Sequence, residues 1–225
     1  MLATASTDKT VRLWAWPGAA PRRTLAGHKS TVTSVAWAPD GTALASGSYD
    51  ATVRLWPLDG GDAQVLKGHP KNVSSVTFTP DGRRLVSAGL GADIIVWDVA
   101  ARKELTRFPA HREAVGDLRV LPGERSLLSM GHDGTLNVWD FGSWKLERTV
   151  DMRHRALFAC ALAPDGSYLA ATMDYGVCLL DARTFEETAL AKLPNKGNYA
   201  VAVSPDGRTL ATTAADGKLR VWKVG

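Results

Sequence analysis

The chain has 225 residues, a formal net charge of +4 and 45% hydrophobic residues, against 22% charged residues. These values are typical of a soluble globular domain with a substantial core. The sequence has no apolar stretch near the roughly 18 residues of a membrane span, and its start lacks the basic and apolar regions of a signal peptide. We therefore expect no membrane partner.

Positive charge and cysteine content place weak limits on function. Basic doublets such as Arg22-Arg23 and Arg83-Arg84 are scattered along the chain, whereas a nucleic-acid surface needs basic residues on one face. The two cysteines, Cys160 and Cys178, fall on strands that are not neighbours in the repeat described below, so we expect free thiols. Free thiols favour a reducing, cytoplasmic location.

The predicted elements recur in chain order with a period of 41 or 42 residues. Each repeat ends in a short apolar strand closed by a tryptophan, except that the fifth is closed by a leucine. The closing residues are Trp14, Trp56, Trp97, Trp139, Leu180 and Trp222. A fixed period of this length indicates a repeat architecture rather than a single pocket-bearing domain.

Each repeat contains four short β-type segments separated by turn signals. In the second repeat these segments cover residues 32–37, 43–46, 52–56 and 63–66. A Pro-Asp-Gly turn separates the first two segments, and the same turn recurs at Pro80, Pro164 and Pro205. Proline presets φ, Asp bonds the local backbone and glycine accepts a positive φ, so these tripeptides predict tight turns. We find no helical periodicity.

The repeated motifs resemble the WD-repeat β-propeller family over essentially the whole chain. The resemblance rests on Gly27-His28 and Gly68-His69, the Pro-Asp-Gly turns, and the pairs Trp97-Asp98 and Trp139-Asp140. It implies one all-β domain over residues 1–225, a propeller of four-stranded antiparallel blades. About six blades are present, the first and last incomplete.

The incomplete ends leave three arrangements open. The first repeat begins in its second strand and the last ends after its third. The chain is expected to be part of a larger ring, for which seven blades is one option. The alternatives are completion by a second chain, with self-association through the unfinished blades, and a six-bladed ring with defective blades.

The resemblance also implies a hydrogen-bonded set of Asp, His, Ser and Trp inside each blade. Two sets are complete and a third lacks its Asp because Gly91 stands there, which Asp93 could replace only if the turn re-forms. In the fifth repeat His154 is out of register, and Ala170 and Leu180 replace Ser and Trp. The expected members are His28, Ser46, Asp50 and Trp56; His111, Ser129, Asp133 and Trp139; and His69, Ser87 and Trp97. Because the set recurs with the repeat, we interpret it as structural rather than as a Ser-His-Asp triad. We expect no enzyme activity, cofactor or metal.

Partner binding is expected on the face that carries the Gly-His loops, the commonest docking surface of this family. The side chains predicted to point outward there are Tyr49, Leu90, His132, Phe158, Met173, Tyr199, Thr31, Thr33, Asn72 and Ser74. The leading function is a non-catalytic scaffold that binds other proteins or peptides. The alternatives are a regulatory or sensor module of a longer chain that carries an enzymatic domain, and a nucleic-acid-binding module.

Overall fold

A computed structural model describes residues 1–18, 20–121, 123, 125–153, 155–193 and 198–224, with no side chains at 198 and 199. Every regular element in these ranges is a β-strand, and every pair of strands with a defined register is antiparallel. The chain divides into two compact units, Met1–Val120 and Leu121–Gly225. The all-β propeller predicted from the repeat is confirmed.

The first unit contains blade 1, blade 2, blade 3 and one further strand. Blade 1 has three strands, and blades 2 and 3 have four each in sequence order. The strands are β1 (Leu2–Ala5), β2 (Thr10–Trp14) and β3 (Pro21–Ala26); β4 (Val32–Trp37), β5 (Ala43–Ser48), β6 (Thr52–Pro57) and β7 (Gln64–Lys67); β8 (Val73–Phe78), β9 (Arg84–Gly89), β10 (Asp93–Asp98) and β11 (Lys103–Pro109); and β12 (Val115–Val120).

The second unit continues the same pattern with blade 4, blade 5 and blade 6. Blade 5 has four strands, and blade 6, like blade 1, has three. The strands are β13 (Ser126–Gly131), β14 (Thr135–Asp140) and β15 (Leu146–Asp151); β16 (Leu157–Leu162), β17 (Tyr168–Met173), β18 (Gly176–Asp181) and β19 (Glu187–Lys192); and β20 (Asn198–Val203), β21 (Thr209–Ala214) and β22 (Leu219–Lys223). The three-stranded sheets fall where the phase of the sequence repeat predicts them.

The Pro-Asp-Gly turns form as predicted and start the second strand of a blade. In the first of them Gly41 has φ of 71° and its N–H donates to the carbonyl of Ala38 at 2.9 Å. The carboxylate of Asp40 accepts the backbone N–H of Thr42 at 2.9 Å. The turns at Asp81, Asp165 and Asp206 repeat the carboxylate bond at 3.0 Å. The Pro-Asp-Gly sequences therefore separate the strands by forming tight turns, as expected.

The apolar cores lie between consecutive blades. In the first unit one cluster joins Val11 and Leu13 of blade 1 to Leu44 and Trp56 of blade 2. Successive side chains of a strand point to opposite faces, so the alternate residues of blade 2, including Val53 and Leu55, pack with Leu85 and Trp97 of blade 3. In the second unit, Leu136 of blade 4 packs in one cluster with Leu169 and Leu180 of blade 5. Burial on both faces explains why the strands are apolar in near-continuous runs.

Hydroxyl groups on the first strands tie neighbouring blades of the first unit together. The Thr33 hydroxyl contacts the carbonyl of Gly47 at 3.0 Å in its own blade and donates to that of Val73 at 2.7 Å in blade 3. The Ser74 hydroxyl does the same one repeat later, with the carbonyls of Ala88 and Val115. These two residues, predicted to face partners, use their hydroxyls for contacts between blades.

We predict that Thr33→Val lowers the free energy of unfolding by about 1–2 kcal/mol. Valine keeps the shape of the side chain but leaves the Val73 carbonyl without this donor. Urea denaturation at pH 7 measures the change. Thr24→Val, at an exposed position of β3, is the matched control and should change stability by less than about 0.5 kcal/mol. Equal effects of the two substitutions would contradict the bridging role of Thr33.

Candidate functional site

The predicted set of blade 2 forms a continuous hydrogen-bonded chain. His28 Nδ1 lies 2.9 Å from Asp50 Oδ2, and His28 Nε2 lies 2.7 Å from Ser46 Oγ. The indole N–H of Trp56 donates to the same Ser46 Oγ at 2.8 Å. The carboxylate can only accept from Nδ1–H, so Nε2 accepts the Ser46 proton and every member of the chain has a partner.

Asp50, the carboxylate of this set, accepts several hydrogen bonds. Besides His28, it accepts the backbone N–H of Lys29 at 2.7 Å and the hydroxyl of Thr52 at 2.6 Å. Burial opposes ionisation, but the hydrogen bonds from Thr52, Lys29 and His28 outweigh it and hold the pKa of Asp50 well below its usual range. Burial lowers the pKa of His28, although Asp50 partly opposes that shift. Asp50 is therefore ionised and His28 neutral near pH 7.

The order Asp50, His28, Ser46 matches that of a catalytic triad, but Ser46 is not placed to attack a substrate. Its side chain is fully buried at 0% exposure, and its oxygen already accepts the Trp56 N–H. A nucleophile must reach a reacting carbonyl beside an oxyanion site. This set therefore braces the blade, as the repeat predicts.

Blade 3 keeps the inner part of the chain and loses the outer part. His69 Nε2 lies 2.7 Å from Ser87 Oγ, which accepts the Trp97 N–H at 2.7 Å. With Gly91 in place of Asp, His69 Nδ1 is buried and has no hydrogen-bond partner among the described residues. Asp93, the substitute considered from the sequence, does not provide one. Burial and then the charge of Arg107 lower the pKa of His69 to about 4, although Glu104 opposes the shift.

The bond from tryptophan to hydroxyl recurs in the other blades that have the closing tryptophan. Trp14 donates to Thr4 at 2.9 Å, Trp139 to Ser129 at 2.9 Å and Trp222 to Thr212 at 3.0 Å. In blade 4 the Asp133 carboxylate also accepts the hydroxyl of Thr135 at 2.7 Å. His111, the histidine predicted for this set, is a half-buried residue of the first unit.

In blade 5 the position equivalent to Ser46 lies one residue later than the sequence alignment predicted. Its β17–β18 turn is shorter than the other turns at this position, so Met173 pairs with Gly176 and Leu180 lies opposite Leu169. In blade 2 the tryptophan lies opposite Leu44, and the serine follows two residues later. The position equivalent to Ser46 is therefore Ala171, not Ala170 as predicted. Ala171 and Leu180 are both fully buried and apolar, so donor and acceptor are absent together.

Arginine partners the turn aspartate in the two end blades, where the chain has no repeat histidine. Arg12 lies 2.6 Å from Asp8, and Arg220 lies 2.5 Å from Asp216, each four residues after its aspartate. Arg54 stands at the same offset from Asp50. Because His28 occupies that carboxylate, the Arg54 guanidinium instead donates to the Gly27 carbonyl at 2.6 Å and lies over the Trp56 ring at 5.6 Å.

The predicted partner residues of the first unit lie where the strands turn. Tyr49 and Leu90 occupy equivalent turns of blades 2 and 3 and are 49% and 43% exposed. Their backbone N–H groups donate to the carbonyls of Thr31 and Asn72, each at 2.9 Å, and those two residues are half-buried. We call the surface formed by residues 27–31, 48–52, 67–72 and 89–92 the turn surface of the first unit.

The predicted partner residues of the second unit are distributed differently. His132 and Phe158 are half-buried, with ring centroids 4.9 Å apart. Met173 is only 3% exposed and belongs to the core between blades 4 and 5, so the expectation that it points outward is wrong. The short turn explains the error, and Tyr175, which the sequence reasoning missed, is 56% exposed beside it. The side chain of Tyr199 and all of His154 lie outside the described residues.

The described residues provide no metal site and no membrane span. None of their His, Cys, Asp and Glu side chains form a group of three or more placed to hold a metal ion. The described chain also has no helix with the length and hydrophobicity that crossing a bilayer requires. Cys160 and Cys178 are buried on either side of Ala171 in the register of β16, β17 and β18. Burial raises the pKa of Cys178 to about 12, so its thiol stays protonated.

Comparison with known proteins identifies the family. The family model described as "WD domain, G-beta repeat" matches four stretches of the sequence that together exceed half of the chain. These stretches are residues 19–57, 60–98, 102–140 and 194–223. The unmatched stretch between the last two matches contains the short turn and Leu180. With the blade geometry and the tryptophan bonds described above, these matches show that the chain belongs to the WD-repeat family.

Similar proteins of this family are mostly longer than the chain. The Protein LST8 homolog of Drosophila melanogaster is 30% identical over 45% of this chain and 35% of its own length. The Nuclear distribution protein PAC1 of Arthroderma benhamiae is 29% identical over 98% of this chain and 56% of its own length. The Apoptotic protease-activating factor 1 of Rattus norvegicus is 32% identical over 88% of this chain and 12% of its own length. In each case the match spans less than two thirds of the relative.

We predict that Leu180→Trp costs less stability when a serine acceptor stands at position 171. Leu180→Trp alone adds volume to the core and buries an indole N–H without a partner, so stability should fall by about 2–3 kcal/mol. Ala171→Ser alone should lower stability by about 1 kcal/mol. In the double variant the two groups can bond, and urea denaturation should show a favourable coupling of about 1 kcal/mol or more. Additive losses would refute the equivalence of Ala171 and Ser46.

We predict that His69 makes the protein sensitive to mild acid. The folded pKa near 4 lies below the unfolded value of about 6.5, so the unfolded state binds the proton first as pH falls. The stability contributed by neutral His69 is present above about pH 6.5 and is lost progressively down to about pH 4, on the order of 3 kcal/mol in total. Unfolding free energies of the unchanged protein and of His69→Gln, measured from pH 7.5 to 4.5, should converge. Parallel pH profiles would contradict this assignment.

Proposed function

We propose that the protein is a non-catalytic scaffold that binds other proteins or peptides through the turn surface of the first unit. The exposure of Tyr49 and Leu90 at equivalent turns of consecutive blades is the observation that carries the proposal. A backbone hydrogen bond to the preceding segment fixes each turn, so the main chain that carries the exposed side chain is held in place. Large side chains on rigid supports bind partners at a low cost in conformational entropy. We further propose a cytoplasmic location, which suits a thiol that stays protonated and buried, as that of Cys178 does.

In the second unit the residues that support binding are Tyr175 and the pair His132 and Phe158. Tyr175 takes the place that the sequence assigned to Met173, because it is more than half exposed. The two rings of the pair are inclined at 54° and each limits the motion of the other. Aromatic groups of this kind are enriched in the energetically important parts of interfaces.

A role as one module of a longer protein is the second candidate. In rat Apoptotic protease-activating factor 1 a segment similar to 88% of this chain is only 12% of the protein. Nucleic-acid binding is not proposed, because several arginines that could contact phosphates are bonded to protein oxygens: Arg12, Arg107, Arg148, Arg155 and Arg220.

We predict that Tyr49→Ala combined with Leu90→Ala lowers partner binding about tenfold or more. Removing two exposed anchors from an interface costs over about 1 kcal/mol each when they are energetically important. Quantitative affinity purification from the source organism, with the unchanged chain as reference, measures the loss, and titration of the most enriched protein gives the affinity. Leu105→Ala is the matched control, since Leu105 is 45% exposed on the outer strand β11. If Leu105→Ala reduces binding and the double variant does not, the turn surface is the wrong one.

A further inference from the structure

A groove with an excess of positive charge runs beside blade 2 on the turn surface. It has a volume of about 510 Å³, and its charged lining consists of Lys29, Arg54 and Lys67 with one carboxylate, Asp50. The β5–β6 turn forms one wall, and the end of β7 with Gly68 forms another. The groove therefore overlaps the turn surface at Lys29, residues 50–52 and residues 67–69, and it extends beyond that surface to Arg54 and Val65.

The single carboxylate of the groove is already engaged. Asp50 accepts hydrogen bonds from His28, the Lys29 backbone and Thr52. Both of its oxygens accept hydrogen bonds from the protein, and its side chain is only 7% exposed. Lys29 and Lys67, in contrast, are exposed residues. To an approaching ligand the groove presents two ammonium groups and a guanidinium with little opposing charge.

Arg54 is fixed at the wall of the groove. Its bond to the Gly27 carbonyl and its position over Trp56 hold the guanidinium in place, and its Nε is buried, so a ligand in the groove would meet the terminal nitrogens. Arg12 and Arg107 of the same unit are neutralised by Asp8 and Glu104 at 2.6 and 2.8 Å. Within the described residues, Arg54 has no such carboxylate. A fixed guanidinium without a counter-charge is suited to bind a planar anion.

An apolar side chain lies beside the cations. Val65 is 40% exposed and lies directly opposite Arg54 in the register of β6 and β7, and it lines the groove with Lys67. The groove thus combines an anion-binding end with a small hydrophobic platform.

We propose that this groove binds an acidic segment of a protein partner, with a glutamate or aspartate carboxylate on Arg54 and Lys67 and a neighbouring apolar side chain on Val65. The inference rests on the proposed function, because it names the chemistry of the partner that the turn surface receives. A carboxylate suits the site because it can accept two parallel N–H groups from one guanidinium. The overall charge of +4 favours the approach of acidic partners.

The test uses the full chain labelled with ¹⁵N and three synthetic peptides with blocked ends. The peptides alternate leucine with glutamate, with glutamine or with phosphoserine, and NMR follows the Arg54 Nε–H and the backbone amides of Lys29 and Gly68. We expect the glutamate peptide to shift these signals with a Kd that weakens as salt is raised, and the glutamine peptide to leave them unchanged. Binding of the glutamine peptide with equal affinity, or binding of the phosphoserine peptide only, would overturn the proposal.

Variants locate the site. Arg54→Gln and, separately, Lys67→Gln should each weaken the glutamate peptide about fivefold to tenfold, as expected for loss of one charge-assisted bond. Lys67→Gln changes an exposed side chain and keeps the test valid if Arg54→Gln perturbs the fold. Arg22→Gln, at an exposed position of β3, is the matched control and should bind normally. Unchanged affinity in both groove variants would overturn the proposal.

The two proposals can fail separately. If Tyr49→Ala with Leu90→Ala abolishes partner capture while the groove variants bind the peptide and the partner normally, the turn surface is correct and the acidic chemistry is wrong. If the peptide binds the groove and the double variant still captures every partner, the groove binds anions but the scaffold surface lies elsewhere.

Discussion

The hydrogen bond from an indole N–H to a serine or threonine hydroxyl is the interaction that the repeat is built around, and five of the blades have it. It joins the second and third strands across the interior of the sheet, at 2.7–3.0 Å in five blades. Each of the two groups stabilises the blade only when the other is present, because either one alone would be a buried polar group without a partner. Blade 5 obeys the same constraint by omitting both, with Ala171 and Leu180 packed in an apolar core.

The second constraint is the partner of the aspartate in the following turn. Where a histidine is available, it forms a hydrogen bond with the carboxylate, as His28 does with Asp50, and its other ring nitrogen bonds the Ser46 hydroxyl. Where the repeat lacks the histidine, an arginine four residues on takes it, as Arg12 and Arg220 do. Blade 2 has both groups, so the arginine is displaced onto the Gly27 carbonyl. The His28–Asp50 bond inside the blade thereby leaves the Arg54 guanidinium at the groove, where the proposed acidic ligand would bind it.

The repeat allowed the fold to be predicted from sequence, but the site was predicted only in part. Period, turn tripeptides and closing tryptophans determine the strands, because every blade must bury the same faces. The exposure of Tyr49 and Leu90 followed from the same register. The predictions for Met173 and Ala170 were wrong, because the β17–β18 turn is one residue shorter than its counterparts. The total spacing to Leu180 stays normal, so the sequence repeat does not reveal the shorter turn. A strand that slips by one residue exchanges its buried and exposed sides. The roles of Thr33 and Ser74 depend on contacts between blades, which a single repeat does not contain.

The missing aspartate of blade 3 shows why neighbouring substitutions must be considered together. Asp50 accepts hydrogen bonds from four groups, namely the His28 ring, the Lys29 N–H, and the N–H and hydroxyl of Thr52. Around Gly91 two of these groups have no counterpart, because Pro70 has no N–H and Asp93 has no hydroxyl. An aspartate at position 91 would therefore lose half of these donors and would face a second carboxylate. A side chain there would also begin 3.1 Å from Pro70 Cγ. Glycine at 91 thus fits its surroundings. As a consequence, His69 remains neutral, because no residue in the described part of the chain accepts a hydrogen bond from its Nδ1.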